Sequence, residues 1–254
     1  MATGVGATLS ALADLVLPLD CAGCSTPATG AGICAACSAG LAALAPYRTE
    51  PTPAPPGLPL CVALGSYDGP LRSLILAYKD DGRHRLARPL AVPLARGIAA
   101  AAIGAERAVR TPVVVVPVPS TASAARVRHG DHMRRLAQHA VRTLRAAGWP
   151  AAISLPVAAR PHADSAHLSA PERADAARDA FRIRPADARR VASAIAAGAC
   201  VIAVDDVITT GATLTALTHR LAAAGLPVHA AVTLAATRRR GPVRLGAGIP
   251  SAPR

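Results

Sequence analysis

Val201-Ile-Ala-Val-Asp205-Asp206-Val-Ile-Thr209-Thr210-Gly211-Ala212-Thr213 is the stretch whose reading decides the fold. Its first four residues are apolar and mostly β-branched, the signature of a short strand covered on both faces. Two adjacent carboxylates follow, then a turn of hydroxyl residues and glycine that opens an apolar helix, expected over 212–224 and stopped by Gly225. A buried strand that runs into a polar turn and then a helix belongs to a parallel sheet, and ligands bind at the carboxyl ends of such strands.

The neighbouring sequence repeats this alternation. Val113–Val116 is a second all-apolar β-branched run, Val228–Leu234 a third, and Ile153, Leu155 and Val157 alternate as a strand does. Between them lie helical faces: Leu71, Leu74, Ile75 and Tyr78, then Met133, Leu136, Ala137, Ala140, Val141 and Leu144, the latter with Asp131 as N-cap and Gly148 as stop. Ser169 and Glu172 form a capping box ahead of a polar helix. Strand and helix in turn predict an α/β domain with a doubly wound parallel sheet joined by right-handed crossovers, over residues 61–237.

The turn at 209–213 suits a phosphate monoester, because backbone N–H groups and Thr hydroxyls at a helix start converge on an anion with the helix dipole in support. The carboxylates beside it repel phosphate and must grip something else, neutral hydroxyls or a metal; a phosphorylated sugar satisfies both demands. The bland alternative is that Asp206 and Thr209 only cap the helix. The chain has neither the glycine-lysine loop of nucleoside triphosphate enzymes nor a dinucleotide fingerprint. The full pattern resembles the phosphoribosyl-pyrophosphate motif of type I phosphoribosyltransferases. That resemblance implies that Asp205 and Asp206 are the catalytic acids that hold the ribose hydroxyls, and that Thr209, Thr210, Gly211, Ala212 and Thr213 wrap the 5′-phosphate. It also implies that the loop after the first strand, Pro117-Val-Pro119-Ser120-Thr121, receives pyrophosphate with magnesium, although a strand simply stopped by proline reads the same way.

Cys21-x2-Cys24 and Cys34-x2-Cys37, nine residues apart, form a second unit. Four thiolates at this spacing close a tetrahedral structural zinc site with no open position, the alternative being two redox dithiols. Residues 1–45 hold too few large apolar side chains to fold without such a staple. Six prolines between Pro46 and Pro59 make 46–60 the expected linker.

The 254 residues are 52% apolar and 17% charged, which excludes a disordered chain. Net charge is +13, and every cation except Lys79 is arginine, a bias that codon composition also produces. The charge is uneven: residues 1–60 carry one arginine against three acids, whereas 238–254 hold five arginines and no acid, a basic tail. Asp14 interrupts the mildly apolar start, no long uninterrupted apolar run exists, and a cytoplasmic protein without a membrane span is expected.

A four-cysteine module ahead of a phosphoribosyltransferase-type domain is similar to the ComF/GntX family of competence-associated proteins. Leu15-Val-Leu-Pro-Leu-Asp-Cys-Ala-Gly-Cys24, Tyr67-Asp-Gly-Pro-Leu-Arg-Ser-Leu-Ile-Leu-Ala-Tyr-Lys79, Val114-Val-Val-Pro-Val-Pro119 and His167-Leu-Ser-Ala-Pro-Glu-Arg173 through Phe181 carry the likeness over nearly the whole chain. It adds Lys79, Pro119, Ser120, Arg126 and Arg128 as substrate-binding residues. The chain departs from the family at Arg126-Val-Arg-His-Gly-Asp-His132, where an Arg-Gly-Phe-Asn-Gln run is usual, and at Lys79-Asp-Asp-Gly82. The implied activity is transfer of phosphoribosyl from its pyrophosphate to an unidentified acceptor, with binding without turnover as a variant of it. The alternative is a DNA-uptake or recombination factor that holds single-stranded DNA on its zinc module and basic tail; the five aromatic rings in the chain are few for base stacking. A second copy of the chain is a further candidate partner.

Overall fold

A computed structural model describes residues 19–28, 32–105, 111–127, 130–160 and 180–237. The apolar start, Arg128, the helix opened by Ser169 and the basic tail lie outside the described residues.

In chain order the elements are β1 (Leu19–Asp20), β2 (Pro27–Ala28), α1 (Ala35–Ala43), β3 (Tyr47–Thr49), β4 (Leu60–Ser66), α2 (Gly69–Lys79), α3 (Ala87–Gly104), β5 (Val113–Pro117), α4 (Ala122–Val127), α5 (His132–Ala146), β6 (Ala151–Ile153), β7 (Val157–Ala159), β8 (Phe181–Ile183), α6 (Pro185–Ala196), β9 (Cys200–Ile208), α7 (Ala212–Ala222) and β10 (Ala230–Ala236). Six strands form one sheet in the order β3-β4-β10-β9-β5-β6, parallel except for β3. From β5 the chain steps outward to β6, and from β9 it steps the other way to β10. The sheet order therefore reverses between β5 and β9, which places their carboxyl ends side by side at a topological switch point.

Alternation along each strand feeds two cores. Val113, Val115, Ile202, Val204, Val232 and Leu234 face one layer, built on α2, α3 and α5. Val114, Val116, Val201, Ala203 and Ala231 face the other, where α7 packs. Helix α3 approaches the sheet closely at Gly97, where a Cβ would stand 2.7 Å from Val232 Cγ1 and 2.8 Å from Leu64 Cδ2. His84–Gly104 is long and apolar enough to cross a membrane, yet 67% of its apolar window is buried within the fold, as expected of a core helix.

Several expected bounds shift. The strand expected at 201–204 continues through both acids to Ile208, because β10 keeps pairing with it, Thr233 opposite Asp205 and Ala236 opposite Ile208. The acids thus belong to the strand rather than to the turn. Ile153, Leu155 and Val157 do not share a strand: β6 joins the main sheet, Pro156 intervenes, and β7 pairs antiparallel with β8. A proline has no N–H to continue the ladder.

The proline-rich segment contributes β3 to the sheet edge, with Tyr47 opposite Ala63 and its hydroxyl donating to Gly65 O at 3.0 Å. The cysteine-bearing part also packs on the sheet domain. Arg96 of α3 donates to Ala42 O (2.8 Å), Leu44 O (3.0 Å) and Leu41 O (3.2 Å), the carbonyls at the end of α1, of which Leu41 O also accepts from Leu44 N. Arg83 donates to Asp20 O at 2.7 Å.

Candidate functional site

Strand parity decides where the two acids point. Val201 and Ala203 face the α7 layer and so does Asp205; Ile202 and Val204 face the α2/α5 layer and so does Asp206. One pair of consecutive carboxylates therefore serves two environments.

On the α7 side, Asp205 lines a small cleft with Thr209, Thr210, Gly211, Ala212 and Thr213. Gly211 is the N-cap of α7 at φ +77, the left-handed region that glycine enters without steric cost. Thr209, Thr210, Ala212 and Thr213 are exposed around it, and Ala212 N donates to Thr210 Oγ1 at 3.4 Å. Asp205 is half-buried and its Oδ1 accepts from Asp206 N at 2.9 Å. Burial, then the neighbouring charge of Asp206, push its carboxyl up to about 8.

Residues of the proline-rich segment lean on this loop. A Cβ at Gly211 would meet Leu58 Cδ1 at 2.9 Å and Pro51 Cγ at 3.3 Å. Gly211→Ala combines that overlap with a disfavoured backbone. Its expected result is a loss of about 1–3 kcal/mol in urea unfolding; unchanged stability would show that the loop does not hold this geometry.

On the other side, Asp206 is 5% exposed. Its Oδ2 lies 2.6 Å from Lys79 Nζ and 3.5 Å from His132 Nε2, and its Oδ1 accepts from Val207 N at 2.8 Å. Burial alone would raise its carboxyl, but His132 and Lys79 outweigh burial and hold it far below the usual carboxylate range. Ser120 comes to the same place: its Oγ lies 3.2 Å from His132 Nδ1, and its N–H donates to Asp131 Oδ2 at 3.3 Å. Asp131 Oδ1 also accepts from Arg134 N at 3.0 Å, making the N-cap expected for α5.

Of the expected site residues, Asp205 and Thr209–Thr213 form one group and Lys79, Ser120 and Asp206 another, and the two meet at the end of β9. Pro119 is half-buried at the end of the β5 loop, and Arg126 is exposed on α4. His132 and Asp131 were not among the expected site residues. The signal that finds them is the Asp-His pair opening a helix beside a strand-end loop.

The sulfurs of Cys21, Cys24, Cys34 and Cys37 lie within 4.8 Å of one another. Cys21 Sγ accepts from Gly23 N (3.4 Å) and Cys34 N (3.3 Å), and Cys34 Sγ from Cys37 N (3.4 Å). Such bonds favour thiolates, and the one from Cys37, with Thr26 and Cys24, lowers Cys34 to about 6. The donor set fits a structural zinc ion: four sulfurs, preorganised by backbone, with no place left for substrate. Cys61 and Cys200 are buried apart from it, and burial pushes the Cys61 thiol up to about 12. Among the described residues, no second cluster of three or more Cys, His, Asp or Glu gathers around a common point.

No protein-family model matches this chain, and no curated protein matches it either.

Proposed function

We propose that the chain is a phosphoribosyltransferase of type I kind, binding phosphoribosyl pyrophosphate at the switch point and transferring the phosphoribosyl group to an acceptor, with a structural zinc held by Cys21, Cys24, Cys34 and Cys37. The observation that carries this reading is the placement of Asp205 in one cleft with the Thr209–Thr213 loop, at the end of a central parallel strand and beside the β5 loop. A sugar phosphate bound there sets its phosphate on the start of α7, its ring hydroxyls on Asp205 and its pyrophosphate toward Ser120. Magnesium arrives on the pyrophosphate. Transfer forms a bond from the acceptor's nucleophile to the anomeric carbon as the carbon–oxygen bond to pyrophosphate breaks. Charge develops on the ring and the leaving group, so positioning and electrostatics suffice without a protein nucleophile.

Calorimetric titration with magnesium phosphoribosyl pyrophosphate tests the assignment. Above pH 8, where Asp205 is ionised, wild type is expected to bind and Asp205→Asn to bind at least about tenfold more weakly, the effect of losing one charged hydrogen bond. Equal affinity in the two proteins would refute it. Release of pyrophosphate with pooled nucleobases then separates an enzyme from a binding protein.

The same variant has a stability signature. Asp205 is protonated in the folded state up to about pH 8, whereas the unfolded chain releases that proton from about pH 4. Folding then binds a proton throughout that window, and stability from this group falls as pH rises across it. Asp205→Asn removes the fall, so its melting temperature should exceed that of wild type by ~3 °C or more at pH 8 and match it near pH 4. Parallel melting curves at both pH values check this.

A further inference from the structure

We propose that His132 is a positioning residue that ties the Ser120 hydroxyl at the end of β5 to the Asp206 carboxylate at the end of β9, holding the two switch-point loops as one unit. The inference rests on the phosphoribosyl reading for its ligand, but the bridge itself is a property of the chain.

His132 opens α5 and is 5% exposed. Its ring spans the gap between strands that the sheet sets side by side, with Nδ1 at 3.2 Å from Ser120 Oγ and Nε2 at 3.5 Å from Asp206 Oδ2. Nε2 and Asp206 Oδ2 are both buried and neither makes a hydrogen bond, so their 3.5 Å approach is an ionic contact shielded from water. The ring is held from behind, since Tyr78 donates its hydroxyl to His132 O at 2.6 Å and sets its own ring edge-on at 6.2 Å. Lys79 Nζ contacts the same Oδ2 of that carboxylate at 2.6 Å, and Asp131 accepts from the backbone N–H of Ser120.

Asp206 facing Nε2 selects the tautomer with the proton on Nε2, which leaves Nδ1 to accept from the Ser120 O–H. Ser120 then spends both its donors inward, N–H on Asp131 and O–H on His132. It shapes the pyrophosphate-side loop instead of donating to the anion, and donors for the anion come from the rest of that loop. Ser120 and His132 consequently act through each other.

A double-mutant cycle on affinity for magnesium phosphoribosyl pyrophosphate reads that dependence. His132→Ala is expected to weaken binding tenfold or more, and Ser120→Ala to add less than twofold when His132 is already gone. Additive losses, or a His132→Ala variant that binds as wild type, would overturn the proposal. A second measurement needs no ligand: ¹⁵N spectra of the histidine ring nitrogens in the full-length protein. Ser120→Ala should move the Nδ1 resonance and Asp206→Asn the Nε2 resonance of His132. If neither moves, the bridge does not exist. If wild type fails to bind the ligand while both resonances move, the phosphoribosyl reading falls and the bridge stands.

Discussion

Asp206→Ala is expected to destabilise the protein by about 3 kcal/mol, near 3–5 kcal/mol when one partner of a buried ion pair is removed. Lys79 Nζ at 2.6 Å loses its counter-charge, and buried His132 Nε2 loses the carboxylate it faces. For a chain of this size the loss lowers the melting temperature by ~6–12 °C. Asp206→Leu combined with Lys79→Met should recover most of that stability, because an apolar pair of similar volume avoids desolvating charge. It should not recover ligand binding, since the bridge to Ser120 is gone. Urea unfolding of the single and double variants decides the matter; a loss under about 1 kcal/mol for Asp206→Ala would mean that buried Asp206 is not held by half-buried Lys79 as described.

The second large effect belongs to the cysteines. Cys21→Ser or Cys37→Ser, the two buried members of the cluster, should abolish retention of about one zinc per chain. Structural zinc sites carry apparent binding energies on the order of 10 kcal/mol in small modules, so the folded state of residues 19–44 should go with the metal. Hydrogen exchange is expected to show protection lost in α1 while β5, β9 and β10 keep theirs. Because Arg96 of α3 caps α1 and Leu41 sits in the main core, a smaller loss should reach α3. Metal analysis of a reduced sample that finds well under one zinc per chain, or serine variants as stable as wild type, would refute the assignment.

Local chemistry explains what could be read in advance. Periodicity located α2, α5 and α7 and the strands at 113 and 201, and placed the last strand at 228–234 where the structure has 230–236, because burial demands a fixed spacing of apolar side chains. The cysteine spacing announced the cluster for a similar reason, since two short loops on one ion restrict the intervening length. The long helix α3 escaped this reading. Pro89 and Pro93 look like breakers, and with 0–6% exposure at so many of its positions it shows little polar face to mark a period. The end of β9 escaped it too, because Asp205 and Asp206 are tolerated in a strand only when neighbours pair the backbone and a cation meets the inner acid.

By itself the sequence determined the local order at the site: an apolar strand, two acids, a Thr-Gly turn and a helix, ahead of which stand four cysteines at metal spacing. Strand parity even implies that the acids diverge. Which groups they diverge toward was decided by tertiary structure alone. Lys79, Ser120 and His132 lie far from Asp206 in the chain and meet it because sheet order sets β5 beside β9 and packs α2 and α5 over that face. Spacing along a chain encodes periodicity, whereas the meeting of distant side chains follows from how the layers close.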